Sequence, residues 1–283
     1  MAINVNIRQA SPNVGAFVEG VDLSKDMDTG TVSQLREALG AHGVLFFRDQ
    51  NLTPDQHIAA AERFGQIDIN RFFAHVDGFE KIAEVRKEPE QKANIGGGWH
   101  TDHTYDQIPA MGSMLLARET PKLGGDTLFS SMFAAYDTLS DGLKATIEKL
   151  NAVHSSRHVF GKKARYKERG EDLGGRLMNP ELAQQDAVHP VVIRHPISGK
   201  KAIYVNPGFT LRFEGMTDQE SQPLLQTLYA HCQNQAFIYR FQWEPGSIAF
   251  WDNRATWHYA VNDYQGERRL MHRITIEGEA VAA

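Results

Sequence analysis

Hydrophobic positions fall into short clusters separated by turn-forming residues. Val44-Leu45-Phe46-Phe47, Met114-Leu115-Leu116, residues 187–193, Ala202-Ile203-Tyr204-Val205, residues 237–243, Ile248-Ala249-Phe250-Trp251 and Ile274-Thr275-Ile276 are rich in β-branched and aromatic side chains and bounded by Gly, Pro, Asn or Asp. That pattern predicts strands, and their close spacing in the C-terminal third predicts hairpins in an antiparallel, mostly β core. Four helices are predicted to cover it. Residues 32–41 are amphipathic at helical period. Thr53-Pro54-Asp55-Gln56 is a capping box with proline at the first helical position, opening a helix that ends near Phe64-Gly65. Residues 133–150 carry apolar positions at helical spacing, and Thr217-Asp218-Gln219-Glu220 opens a fourth helix with Leu224, Leu225 and Leu228 as its buried stripe. Strands with covering helices predict a β-sandwich or jelly roll. No repeat, low-complexity tract or Pro/Ser-rich linker interrupts the chain, so residues 1–283 read as a single domain.

Composition narrows the functional classes. With 41% hydrophobic and 23% charged residues the chain can bury a sizeable core, which excludes wholesale disorder. No run approaches the roughly 18 apolar residues of a membrane span. The start, Met1-Ala2-Ile3-Asn4-Val5-Asn6, lacks a basic region followed by an apolar stretch, so no secretory signal is expected and the cytoplasm is the expected location. The single cysteine, Cys232, excludes an internal disulfide and a cysteine-built zinc site. A net charge of -5 argues against a nucleic-acid partner. Twelve histidines are the one excess worth following, because neutral imidazole is the commonest metal ligand. Two stretches read as mobile: Asn94-Ile95-Gly96-Gly97-Gly98, and the long charged segment 161–185 with Lys162, Lys163, Arg165, Lys167, Arg169, Gly174 and Gly175, which has the length of a lid.

The densest chemistry is Trp99-His100-Thr101-Asp102. A histidine and an aspartate two apart on a strand point to one face and can grip a single ion. With a third ligand from elsewhere they make the facial set of non-haem Fe(II) oxygenases, which leaves three positions open. A lone His-x-Asp occurs by chance in many chains. His258, in Trp251-Asp252-Asn253-Arg254-Ala255-Thr256-Trp257-His258, is the candidate third ligand. Beyond it, Arg269 and Arg273 lie on one face of a predicted strand, about 13 Å apart at roughly 3.3 Å per residue. An arginine in so apolar a strand needs a negative partner, and a guanidinium clamps a carboxylate well. The residues alone leave three classes open: an Fe(II) oxygenase, a non-catalytic binder of small acids, and a zinc hydrolase with an activated water. His42, His57 and His231 sit on predicted helices and read as surface or partly buried. His272, between the two arginines, should point away from both.

Trp99-His100-Thr101-Asp102, Gly124-Gly125-Asp126-Thr127, the segment from Trp251 to His258, and Arg269 with Arg273 together resemble the signature of the taurine dioxygenase family (TauD/TfdA type). Val21-Asp22-Leu23, Phe46-Phe47-Arg48-Asp49-Gln50 and Val205-Asn206-Pro207-Gly208-Phe209 extend the resemblance from Gly15 to Gly278. It implies a double-stranded β-helix, a distorted jelly roll. It implies an Fe(II)/2-oxoglutarate-dependent dioxygenase that consumes O2, releases succinate and CO2, and acts as a homodimer or homotetramer without membrane. His100, Asp102 and His258 would ligate the iron. Arg269 and Thr127 would hold the distal carboxylate of 2-oxoglutarate, and Arg273 would face the acidic group of a small anionic substrate. Taurine-specific members carry His, Tyr and Asn where this chain has Asn70, Phe73 and Gly96, a loss of polar reach that argues against taurine itself. Stretches His154-Ser155-Ser156-Arg157-His158-Val159-Phe160-Gly161 and Glu214-Gly215-Met216-Thr217-Asp218 are similar to phenoxypropionate-degrading members. The expectation is a hydrophobic or aryloxyalkanoic acid, with a sulfonate or alkyl sulfate ester as the alternative. The expected substrate contacts are Arg273, Asn70, Phe73, His103, Phe160 and Phe209.

Overall fold

Two β-sheets face each other across an aromatic core. The computed structural model describes residues 5–164 and 175–283. The larger sheet has nine strands in the order Asn6–Gln9, Ala16–Glu19, Val44–Phe47, Ile248–Asp252, Gly112–Glu119, Arg269–Ile276, Phe79–Lys87 and His75–Val76, with Ile67–Asp68 also bonded to Arg269–Ile276. Pairing is antiparallel apart from Ala16–Glu19 beside Val44–Phe47. Strands far apart in sequence sit side by side, so the chain crosses between sheets in the manner of a jelly roll, here the distorted form expected of a double-stranded β-helix. The facing sheet has three strands, Ile238–Phe241, Thr127–Ser131 and Thr256–Ala260.

Alternation along each strand sorts the side chains between two cores. Phe46, Leu115, Ala117, Ala249, Trp251 and Met271 point inward and meet Phe129 and Phe241 from the smaller sheet and Trp243 just beyond it. Phe46 stacks on Phe241 with ring centroids 4.2 Å apart. The intervening residues Leu45, Phe47, Met114, Leu116, Ile248 and Phe250 point outward, under Leu35, Leu39, Ala60 and Ala61 of two covering helices. The first helix, Thr29–His42, starts where Asp28 accepts from the Thr31 backbone N–H and stops at Gly43, whose φ of 75° is the left-handed conformation glycine adopts at no cost. The second, Pro54–Glu62, begins with the predicted Thr53/Gln56 capping box.

Some elements depart from the sequence reading. The single helix expected over 133–150 is two, Met132–Asp137 and Asp141–Ile147, because the Ser140 side chain accepts from the Leu143 N–H and restarts the helix. The apolar run 187–193 forms two strands, Asp186–Pro190 and Val192–Arg194, separated at Val191. Strand Phe79–Lys87 was not expected, since its exposed positions are charged and only part of it is buried. His57 is fully buried, where the sequence suggested a surface or partly buried position. It shares the inward stripe of its helix with Ala60 and Ala61, and burial pushes its ring down to about 3, so it packs as a neutral group. Of the expected lid, residues 165–174, with Arg165, Lys167, Arg169 and Gly174, lie outside the described residues. No helix among the described residues is long and apolar enough to cross a membrane.

Candidate active site

The core between the sheets opens into a cavity of about 590 Å³, and three side chains meet on its wall. His100 and His258 are partners in an isolated antiparallel bridge: each backbone N–H donates to the other's carbonyl, at 3.1 and 2.8 Å. Cross-strand partners project to the same face, and the two rings lie 4.1 Å apart between centroids. Asp102 arrives differently from the expectation. It lies in a turn, not a strand, and its neighbour His103 has the left-handed φ of 60°. The turn brings Asp102 Oδ1 to 3.6 Å from His100 Nε2 and Oδ2 to 3.7 Å from His258 Nε2. One donor atom from each residue lies within 4.8 Å of the other two.

Protonation suits this set to a metal. His100 Nδ1 donates to the Gly98 carbonyl at 2.7 Å, which turns Nε2 toward Asp102. Burial, and then neighbouring His100, push the His258 ring down to about 3, so it is a neutral imidazole. Burial alone would raise the Asp102 carboxyl. Arg273, His258 and His100 more than offset this and hold it well below the usual carboxylate range, so it stays an anion. Two imidazole nitrogens and one carboxylate oxygen on a cavity wall make a facial donor set with open positions, and a divalent iron fits it.

The backbone behind His100 is tight. A Cβ on Gly208 would stand 2.7 Å from the His100 Cβ, and His158 Nε2 donates to the Gly208 carbonyl at 2.7 Å, fixing that turn against the ligand. We predict that Gly208→Ala displaces His100 and lowers turnover by roughly 10²-fold, the usual cost of a misplacement near 1 Å. Iron titration should show weaker binding with the fold intact; wild-type affinity and turnover would refute the contact's importance.

Two cations reach the cavity from strand Arg269–Ile276, where alternation points Arg269, Met271 and Arg273 inward. Arg269 is buried, and its Nε and Nη2 have no partner among the described residues. An uncompensated buried guanidinium costs several kcal/mol, so an anion entering the cavity would be favoured there. Thr127, on the same cavity, accepts from the Trp243 indole N–H at 2.9 Å. Arg273 Nη1 stands 3.4 Å from Asp102 Oδ2, and its guanidinium carbon sits 4.4 Å from the Phe73 ring centroid. His272 points to the opposite face, as expected, where its Nδ1 accepts from Arg118 at 3.1 Å.

Of the other expected substrate contacts, Phe73, Phe160 and Phe209 line the cavity beside Tyr105, Val159 and Leu177. Asn70 and His103 do not. Asn70 Oδ1 accepts from the Phe72 and Phe73 N–H groups, a local turn that presents Phe73. His103 is turned away, with Nδ1 3.0 Å from Asp106 Oδ2 and 3.4 Å from Asp68 Oδ2, and Nε2 3.5 Å from Asn70. Asp68, His103 and Asp106 form a second ligand-like cluster, but Asp106 is already paired with Arg71 and accepts from Gln185 at 2.8 Å. It is a structural ion network. Tyr105 and Leu177 were missed because they sit in segments without a motif, and His158, within the stretch 154–161, because only long-range folding brings it to the cavity.

Comparison with known proteins gives a consistent picture. The profile of the family described as taurine catabolism dioxygenase TauD, TfdA family matches residues 6–275. An alpha-ketoglutarate-dependent sulfate ester dioxygenase from Pseudomonas putida is 34% identical over 284 residues, covering 98% of this chain and 91% of the relative. An (S)-phenoxypropionate/alpha-ketoglutarate-dioxygenase from Sphingobium herbicidovorans is 33% identical over 94% of this chain and 92% of its own length. Among solved structures, a taurine dioxygenase from Burkholderia xenovorans superposes with a TM-score of 0.82 at 33% identity, covering 99% of this chain and 93% of that one.

Proposed function

Because the chain belongs to the TauD, TfdA family of dioxygenases, we propose that it is an Fe(II)/2-oxoglutarate-dependent dioxygenase, one domain throughout, whose substrate is an organic anion with an apolar body. The observation that carries this reading is the buried Arg269, whose Nε and Nη2 have no partner among the described residues, on the same cavity as His100, Asp102 and His258. His100, Asp102 and His258 would hold Fe(II). When bound, the iron together with 2-oxoglutarate and dioxygen supplies hydroxylation of an unactivated C–H bond, with release of succinate and CO2.

The protein's part is binding, aim and dryness. Arg269 and Thr127 take the distal carboxylate of 2-oxoglutarate, one through its charge and the other through its hydroxyl. The neutral His258 ring and the ionised Asp102 present lone pairs, not protons, to the metal, and His100 turns its Nε2 to the same point. Arg273 orients the anionic group of the substrate, with its guanidinium backed by the Phe73 face. Phe73, Tyr105, Phe160 and Phe209 accept the apolar body and exclude water. An aryloxyalkanoic acid suits this combination. Hydroxylation of its ether-bearing carbon gives a hemiketal or hemiacetal that collapses to a phenol and a 2-oxo acid. A second reading, an alkyl sulfate ester that collapses to an aldehyde and sulfate, is favoured by the Pseudomonas putida relative. The family reading also supports a homodimer or homotetramer in the cytoplasm, and the net charge of -5 supports the absence of a nucleic-acid partner.

The test is a panel of aryloxyalkanoates, alkyl sulfates and alkyl sulfonates assayed for succinate with Fe(II) and ascorbate. Succinate coupled to one of these acids is expected, and folded protein that turns over none of them would overturn the reading. In the same assay Arg273→Ala should raise the KM of the primary substrate roughly 30-fold, about 2 kcal/mol for a lost buried charge contact. The affinity for 2-oxoglutarate should change little. An equal loss for both ligands would place Arg273 elsewhere in the mechanism.

A further inference from the structure

Trp243 lies beside both groups assigned to the distal carboxylate, yet it does not line the cavity itself. Its indole Nε1–H donates to Thr127 Oγ1 at 2.9 Å, and the Arg269 guanidinium carbon is 5.7 Å from its ring centroid. Phe241 holds the indole edge-on at 4.8 Å between centroids, and Trp243 is buried in the core between the two sheets. An indole N–H can only donate, so Thr127 Oγ1 must accept there. The hydroxyl has one proton, and accepting from Trp243 turns that proton away from the indole. No described residue accepts it, and Thr127 faces the cavity.

We infer that Trp243 is a positioning residue for the co-substrate: its N–H fixes the Thr127 hydroxyl as a donor into the cavity, beside the Arg269 guanidinium. The inference rests on the co-substrate reading above. A fixed donor next to a buried cation selects a carboxylate, because both groups offer protons to it. Without the indole N–H the Thr127 rotor is free, and part of the hydroxyl's strength toward an anion is lost. The effect should be confined to ligands that reach this end of the cavity.

Trp243→Phe keeps an aromatic ring beside Arg269 but removes the N–H together with the second ring of the indole, so a ligand that does not reach Thr127 serves as the packing control. Calorimetry on the Zn(II)-loaded protein would compare 2-oxoglutarate with pyruvate, a 2-oxo acid that lacks the distal carboxylate. We expect Trp243→Phe to weaken 2-oxoglutarate about tenfold, in the range for a hydrogen bond to a charged group, and to leave pyruvate unchanged. In a Thr127→Ala background the same substitution should add less than a twofold loss. Equal weakening of both ligands, additive losses, or unchanged 2-oxoglutarate affinity would each overturn the inference. Should Trp243→Phe fail to fold, the wild type still decides. The indole N–H resonance of Trp243 in 15N-tryptophan-labelled, Zn(II)-loaded protein, assigned through its perturbation in Thr127→Val, must shift with 2-oxoglutarate and stay put with pyruvate. A resonance that moves with neither or equally with both contradicts it. Wild-type protein that binds no 2-oxoglutarate at all overturns the co-substrate reading itself, an outcome separate from a wild type that binds while Trp243→Phe binds equally well.

Discussion

Arg269→Met is expected to weaken 2-oxoglutarate binding by roughly 10²–10³-fold, about 3–4 kcal/mol, as for loss of one partner of a buried charge pair. The sign of its effect on the empty protein is equally diagnostic. Arg269 is buried, burial lowers its pKa, and two of its guanidinium nitrogens lack partners among the described residues. Methionine fills similar space without a charge, so the thermal midpoint without 2-oxoglutarate should be unchanged or higher. A structural salt-bridge arginine would behave the opposite way, losing stability on substitution. With saturating 2-oxoglutarate the wild type should gain stability through ligand linkage and the variant should not. Calorimetric titration and melting curves check both halves, and unchanged co-substrate affinity would remove Arg269 from the site.

His258→Ala should abolish turnover and weaken Fe(II) binding by roughly 10³-fold, about 4 kcal/mol. The His258 Nδ1 makes no hydrogen bond among the described residues, so the fold loses the Nε2 approach to Asp102 and ring contacts with His100, Trp251 and Phe129. Its packing loss is that of a large-to-small substitution, roughly 2–4 kcal/mol. A cooperative melt, shifted down but intact, together with lost iron binding and lost succinate production, is the expected result. Retained iron affinity would mean that the metal sits elsewhere. The nearby Asp68–His103–Asp106 cluster supplies the internal control, because disturbing that ion network through Asp68→Asn should leave iron binding in place.

Local chemistry was readable in the sequence wherever a side chain acts on its own neighbours. The Thr53 and Thr217 capping boxes form as written, and the apolar clusters at 44–47 and 248–251 are adjacent strands of the larger sheet. The same locality misled over 133–150, where one serine hydroxyl competes with the helix it interrupts. Strand Phe79–Lys87 was hidden by its charges, since neighbouring strands supply the partners that its own alternation does not advertise. Residue types and resemblance point to His100, Asp102 and His258, but strand alternation is not what brings His100 and Asp102 together. A turn unites them, and the backbone bridge from His100 to His258 could not be read from either segment alone. Asn70 and His103 lie close to the site in sequence and face each other instead of the cavity, because His103 finds two carboxylates on its own side. The contact between Arg273 and Asp102 and the donation from Trp243 to Thr127 join segments far apart in the chain, which no local pattern encodes.

The account stands on one shared pocket for ferrous iron and 2-oxoglutarate, and anaerobic absorption spectroscopy reads that directly. Adding 2-oxoglutarate to wild-type protein already loaded with Fe(II) should raise a visible metal-to-ligand charge-transfer band. The band should need both components, be missing in His258→Ala, and require far more 2-oxoglutarate in Arg269→Met. Folded, iron-loaded wild-type protein that stays colourless at saturating 2-oxoglutarate would contradict it.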